Sequence, residues 1–210
     1  MDRIAARHGI VAALLAATAC AQQPAPAPCG PTPRADDRTL CLPERAGPLR
    51  PATSRAELAP LFGSDRIRDQ PVHVGEGMTE PGTLVNIDQA DSAQVVWADS
   101  SRARIAGLMA LGPAWRTADG LGVGSSLAEI ERALGPVQVL GFGWDYGGTM
   151  MLDGTRLENS GLFFRMQPRA EAAVGTEAYQ RVRGDQPYAS TDRDVRSLDL
   201  VVGRVDVLWR

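Results

Sequence analysis

The stretch SLAEIERALG, residues 126–135, predicts a short amphipathic helix whose start and end are both encoded in the sequence. Ser126 and Glu129 have the spacing of a capping box, in which the serine hydroxyl accepts the amide of the third helical residue and the glutamate accepts the serine amide. Apolar residues recur at i, i+3 and i+4 from Ile130, which places them on one face of the helix. Gly135 supplies the residue that commonly ends a helix in the left-handed conformation.

A second stretch, SRAELAPLFG at residues 54–63, repeats this pattern 72 residues earlier in the chain. Ser54 and Glu57 have the same capping-box spacing, and Gly63 is the matching terminator. Pro60 is expected to shorten or bend this helix, because proline lacks the amide that an interior position donates. The sequence therefore predicts two short helices of the same design.

Apolar or alternating runs, separated by glycine and aspartate turns, follow each helix and predict short strands. They are residues 72–74, 83–87, 93–98, 105–111, 137–140, 149–152 and 162–166. We therefore predict an α+β fold, in which short helices pack on an antiparallel β-sheet. The repeated pattern favours two related helix-plus-hairpin units.

The C-terminal part of the chain predicts a long loop and then a hairpin. Residues 168–194 are polar without clear periodicity, apart from a short helix expected at 170–173. Two further runs, 195–202 and 205–209, are joined by Gly203-Arg204, which is typical of a tight hairpin turn.

The first 19 residues are typical of an export signal. Arg3 and Arg7 precede an uncharged, mostly apolar run over residues 9–19, and small residues follow it. This run is shorter than the roughly 20 apolar residues that a transmembrane helix needs. We expect residues 1–19 to be removed and the remainder to work on the periplasmic side of the cell envelope.

Cys20, at the foot of the apolar run, resembles the cysteine that carries the lipid in bacterial lipoproteins. The residue three positions before it is Ala17, where those proteins usually have a larger aliphatic side chain, and simple signal cleavage is the alternative. Ala21 stands where an aspartate retains lipoproteins in the inner membrane. The resemblance therefore implies an anchor in the outer membrane.

Residues 20–52 are predicted to form a tether that contains a disulfide. The proline- and alanine-rich segment 21–36 is typical of an extended linker, and 38–52 is still rich in proline. With Cys20 lipidated, Cys29 and Cys41 remain as an even pair, and an oxidising envelope favours a disulfide between them. The folded domain is expected over residues 53–210.

Composition excludes several classes of function. The chain has no lysine, which excludes a Schiff-base lysine and a P-loop lysine. Without residues 1–19 it has 24 acidic and 20 basic residues, so it lacks the basic surplus of a nucleic-acid-binding protein. His73 is then the one histidine, and it lies in a segment predicted to be a strand. A single histidine excludes a multi-histidine zinc site within one chain. We expect no metal and no cofactor.

Residues 121–136 resemble a short signature of small envelope modules. The motif, LGVGSSLAEI followed by LGP, is similar to that of the outer-membrane assembly lipoprotein BamE family and of the related β-lactamase-inhibitor-like domains. Pro136 directly follows Gly135, where those families usually have one residue between. The resemblance implies a binding or scaffolding role in the envelope and carries no catalytic residue.

The segment GFGWDYGG, residues 141–148, is the candidate binding site. It places Phe142, Trp144, Asp145 and Tyr146 among four glycines, in a chain that is only 5% aromatic. Tryptophan and tyrosine are favoured anchors at interfaces. The competing interpretation is a glycine-bent strand pair in which Trp144 and Tyr146 pack on the sheet.

The sequence therefore predicts a non-catalytic, lipid-anchored module that binds another protein or a component of the cell envelope, with no nucleic-acid partner and only the lipid in the membrane. The alternative is a hydrolase of cell-wall glycan with Asp145 and Glu158 as paired carboxylates, which requires the two to share a cleft. Asp145, Asp153 and Glu158 lack the spacing of a calcium loop and are better explained as turn residues.

Overall fold

The computed structural model describes residues 29–30 and 33–209, and it confirms an α+β fold of short helices and mostly antiparallel strands. The predicted export signal and Cys20 lie outside these residues. The helices are α1 (Arg55–Phe62), α2 (Leu127–Leu134), α3 (Glu177–Arg181) and α4 (Arg193–Ser197), with 3₁₀ turns at Ser64–Arg66 and Glu171–Gly175. The strands are β1 (Thr39–Cys41), β2 (Arg45–Ala46), β3 (Ile67–Asp69), β4 (Val72–Gly75), β5 (Met78–Glu80), β6 (Gly82–Val85), β7 (Ala93–Trp97), β8 (Ile105–Met109), β9 (Arg116–Thr117), β10 (Gln138–Leu140), β11 (Met150–Met151), β12 (Leu162–Pro168), β13 (Pro187–Ala189) and β14 (Leu200–Leu208).

A six-stranded antiparallel sheet in the order β12-β14-β8-β7-β6-β3 organises the domain. Side chains alternate between its two faces, as the period of a strand requires. The inner face packs against α1 and α2 and buries Trp97, Leu108, Phe164, Val205 and Val207. In the part of the chain that the structure describes, no helix is long and apolar enough to span a bilayer.

Both predicted helices form, and a glutamate caps each one. Glu57 accepts the amide of Ser54 at 2.8 Å, and Glu129 accepts the amide of Ser126 at 2.7 Å. The strands that follow them pair differently: β3 joins β6 in the large sheet, whereas β10 joins β11 and β13 in a separate three-stranded sheet. The two helices thus share a local design, and their surroundings differ.

The predicted C-terminal hairpin is wrong. Residues 195–197 belong to α4, because the Asp192 carboxylate accepts the amides of Asp194 and Val195 and caps a helix there. Residues 200–208 form one continuous strand along β12. Opposite Arg165 and Met166 the register shifts by one, so Gly203 is the extra residue of a β-bulge and not part of a turn.

The folded part of the chain begins before residue 53, the boundary expected from proline content. Leu40, Ala46 and Leu49 are buried in the main core, and β1 pairs in parallel with β9. The predicted disulfide is confirmed: Cys29 and Cys41 are bonded, and it fixes the start of this segment to β1. Burial of three apolar side chains and strand pairing outweigh the extended preference of the neighbouring prolines.

Candidate functional site

Residues 141–148 form a compact loop between β10 and β11, held by its own backbone. The amide of Gly147 donates to the carbonyl of Trp144 at 3.0 Å, and that of Gly148 donates to the carbonyl of Leu140 at 2.9 Å. Gly143 and Gly148 have φ values of 84° and 77°, which side chains disfavour. Glycine is therefore needed for this path of the backbone, and the loop presents its side chains in fixed positions.

Phe142 is the buried anchor of the loop. Its side chain is 5% exposed and its ring stacks on Tyr179 with centroids 5.4 Å apart. Its amide donates to the carbonyl of Val182 at 2.9 Å. Phe142, one of the candidate binding residues, thus fastens the loop to the segment after α3, and its ring lies in the core.

Trp144 and Tyr146 form an exposed aromatic pair. Their rings meet edge to face at 5.4 Å, and the side chains are 38% and 42% exposed. The indole N–H of Trp144 donates to the carbonyl of Gly141 at 2.8 Å, which fixes the ring over the loop. Asp145, between them, is exposed. The pair offers amphipathic contact area at low entropic cost, since few rotamers remain to be ordered.

A hairpin from a distant part of the chain completes the surface. The Tyr146 hydroxyl donates to Oε1 of Glu76 at 2.8 Å, across 70 residues of sequence. Glu76 and Gly77 both have positive φ and turn the chain between β4 and β5, as in type I′ hairpins. The hydrogen bond to the Glu76 carboxylate, with smaller effects of desolvation and of that charge, raises the pKa of Tyr146.

The hairpin is itself packed on the protein. Val72 of β4 is buried against Leu84, Val96 and Met109 on the outer face of the large sheet, whereas His73 points to solvent. Two residues beyond Glu76, Met78 is 56% exposed. We call Glu76, Met78, Trp144, Asp145 and Tyr146 together the aromatic surface.

The structure does not place Asp145 and Glu158 in one cleft. Glu158 lines a cavity of about 550 Å³ with Asp153, and its Oε2 accepts the amide of Gly154 at 2.9 Å. Asp145 is on the loop beside Tyr146 and is not among the residues that line this cavity. Within the described residues, no group of three or more His, Cys, Asp or Glu side chains is arranged to hold a metal ion.

Sequence reasoning missed Glu76, Met78 and the cavity. The alternating run VHV at 72–74, followed by glycines on both sides of Glu76, is a hairpin signal in the sequence. Nothing local to residues 72–80 indicates that this hairpin meets residue 146. The contact between this hairpin and Tyr146 depends on the order of the strands in the large sheet, on which the hairpin packs.

Comparison of the chain with protein-family models, with curated protein sequences and with solved structures found no match.

Proposed function

We propose that this protein is a non-catalytic, lipid-anchored module of the cell envelope that binds another protein or envelope component through the aromatic surface. The observation that carries the proposal is the exposed Trp144–Tyr146 pair, fixed by hydrogen bonds to Gly141 and Glu76. Tryptophan and tyrosine supply the largest share of binding energy at many interfaces. A surface already ordered before binding loses less conformational entropy when the partner arrives.

The chemistry around the rings supports a partner with both apolar and polar groups. Met78, two residues beyond Glu76 on the same hairpin, is an exposed and flexible apolar side chain, and such side chains adapt to irregular partners. Asp145 is exposed and can accept hydrogen bonds. The Glu76 carboxylate has further acceptor positions besides the one that Tyr146 occupies.

The N-terminal sequence supports the location. An export signal over 1–19, a cysteine at 20 and a proline-rich segment at 21–36 are the order expected of an anchored protein whose folded domain stands away from the membrane. The similarity of residues 121–136 to small envelope modules agrees with a binding role. The absence of aspartate at position 21 points to the outer membrane.

Cross-linking in intact cells, followed by purification of the protein, tests the binding site. The wild type is compared with a Trp144→Ala, Tyr146→Ala double variant, and with Val174→Ala, which truncates a side chain that is also 42% exposed but lies on a 3₁₀ turn. We expect one specific partner with the wild type and with Val174→Ala, and its loss from the double variant. Retention of that partner by a folded double variant would remove the aromatic surface as the site.

The anchor is tested separately. Wild-type protein should fractionate with the outer membrane and incorporate a labelled fatty acid, whereas Cys20→Ser should do neither. Wild-type protein in the soluble periplasmic fraction would refute the anchor and leave the binding proposal standing.

A further inference from the structure

A cavity of about 550 Å³ lies at one end of the large sheet, apart from the aromatic surface. Its floor is formed by Phe163 and Leu208, which project from the outer face of adjacent strands, and by Trp209 just after β14. The loop between β11 and β12, residues 152–161, forms the opposite wall. Its lining is part polar and part apolar, and a volume of several hundred Å³ is typical of small-molecule sites.

The charged groups of the cavity are all acidic. Asp153 and Glu158 line it, and none of its lining residues in the described part of the chain is an arginine or a histidine. The nearby Arg156 is paired with Asp119. Two carboxylates without a basic lining residue beside them attract cations and disfavour anions.

The wall of the cavity is formed before any ligand binds. The Glu158 carboxylate accepts the amide of Gly154 at 2.9 Å, and the Ser160 hydroxyl donates to the carbonyl of Leu157 at 2.6 Å. The amide of Leu208 donates to the carbonyl of Gly161 at 2.8 Å, which ties the loop to β14. A site held this way needs little ordering on binding.

We propose that this cavity binds a small organic cation of the quaternary ammonium type. Aromatic rings attract such cations through the negative face of the ring, and the methyl groups of the ligand fit apolar walls. Phe163, Trp209 and Leu208 line the cavity and would supply that contact, and Asp153 and Glu158 would supply the opposite charge. This site is independent of the partner proposed for the aromatic surface.

Calorimetric titration of the mature protein with choline tests the proposal, against 3,3-dimethylbutan-1-ol, which has the same shape without the charge. We expect saturable binding of choline and binding of the neutral alcohol at least about tenfold weaker. Equal affinities would overturn the proposal, because they would show an apolar pocket without preference for a cation. The absence of any choline binding would overturn it as well.

Variants locate the site. Glu158→Gln keeps an oxygen for the Gly154 amide and should weaken choline binding about tenfold. Asp145→Asn removes the same charge outside the cavity, and Trp144→Ala, Tyr146→Ala changes the aromatic surface; both should bind choline as the wild type does. Equal weakening by Glu158→Gln and Asp145→Asn would indicate general charge attraction and overturn the site.

Free choline and the headgroup of phosphatidylcholine carry the same quaternary ammonium group. An experiment with lipid vesicles distinguishes these two ligands. Chain lacking the lipid anchor is sedimented with phosphatidylcholine vesicles and with phosphatidylglycerol vesicles, with and without Glu158→Gln. Cosedimentation with phosphatidylcholine that Glu158→Gln abolishes assigns the site to the headgroup. Choline binding without cosedimentation assigns it to a free cation.

Discussion

The Tyr146 hydroxyl donates a hydrogen bond to Oε1 of Glu76 at 2.8 Å, joining two surface segments that are 70 residues apart in the chain. One is the glycine-rich loop after β10 and the other is the β4–β5 hairpin on the outer face of the large sheet. This contact makes one continuous surface from two parts of the chain. The Tyr146 phenol is titratable, so the contact can be followed by measuring the pKa of Tyr146.

Replacing Glu76 with Gln should lower the pKa of Tyr146. The hydrogen bond to the carboxylate stabilises the protonated phenol and raises its pKa above the ordinary value of 10. The contact is therefore present below pH 10 and is lost as the pH rises through the elevated pKa. Tyrosinate absorbance, with Tyr146→Phe to assign the signal, measures the change. Asp145→Asn should have a smaller effect, because its charge contributes less. An unchanged titration in Glu76→Gln would contradict the contact.

Alanine at Gly148 should destabilise the protein by about 2–5 kcal/mol, and alanine at Gly154 by only about 1–2 kcal/mol. The two glycines have similar positive φ, 77° and 73°. A Cβ at Gly148 would collide with the carbonyl oxygen of Met166, whereas a Cβ at Gly154 meets open space. Chemical denaturation of both variants separates the cost of conformation from that of collision. Equal losses would show that the loop is not packed as described.

Asp69 should make part of the free energy of unfolding dependent on pH in the acidic range. Burial raises its pKa, but hydrogen bonds from Arg55 and Thr83 and the charges of Arg55 and Arg102 outweigh it and lower the pKa. The contribution is therefore full above about pH 4 and is lost as the pH falls through the lowered pKa. Because the carboxylate is about a third exposed, we expect Asp69→Asn to cost only about 1 kcal/mol at pH 7.

Denaturation of Asp69→Asn at pH 7 and at pH 3 checks this dependence, and the exposed Asp65 provides the control as Asp65→Asn. The difference between wild type and Asp69→Asn should shrink at pH 3. A constant difference at both pH values would exclude the ionised carboxylate as its cause.

Removal of the Cys29–Cys41 disulfide should destabilise the domain by about 2–3 kcal/mol, the cost expected for a short closed loop. The effect should reach the core, because Leu40 and Leu49 near the bond are buried there. Thermal unfolding of Cys29→Ser, Cys41→Ser is compared with the wild type, with and without reductant. An effect of reductant on the double variant would point to another thiol.

The features predicted correctly depend on contacts between near neighbours. The capping boxes at Ser54 and Ser126 join residues three apart, and most of the apolar runs became strands within one or two residues of the predicted ends. The failure at Gly203-Arg204 has a different origin. A glycine followed by a polar residue suits both a hairpin turn and a bulge, and the choice depends on β12, which the local sequence does not contain.

In the candidate site, too, local sequence was informative, whereas contacts between distant segments could not be predicted. The sequence singled out residues 141–148 by their unusual composition, but could not say which aromatic side chains face solvent. Phe142 is buried because Tyr179 stacks on it, and Trp144 and Tyr146 remain exposed beside a hairpin from elsewhere in the chain.

The sequence by itself determined the boundaries of α1 and α2, most strand positions, the α+β class and the cysteine pair. These features depend on hydrogen bonds within one turn and on the period of burial, which adjacent residues encode. Only the tertiary structure decided that Leu40, Ala46 and Leu49 belong to the core, that β14 is one bulged strand, and that Glu76 contacts Tyr146. These arrangements depend on which strands pair across the sheet. Such pairing is selected by the burial of apolar surface over the whole domain and not by any single segment.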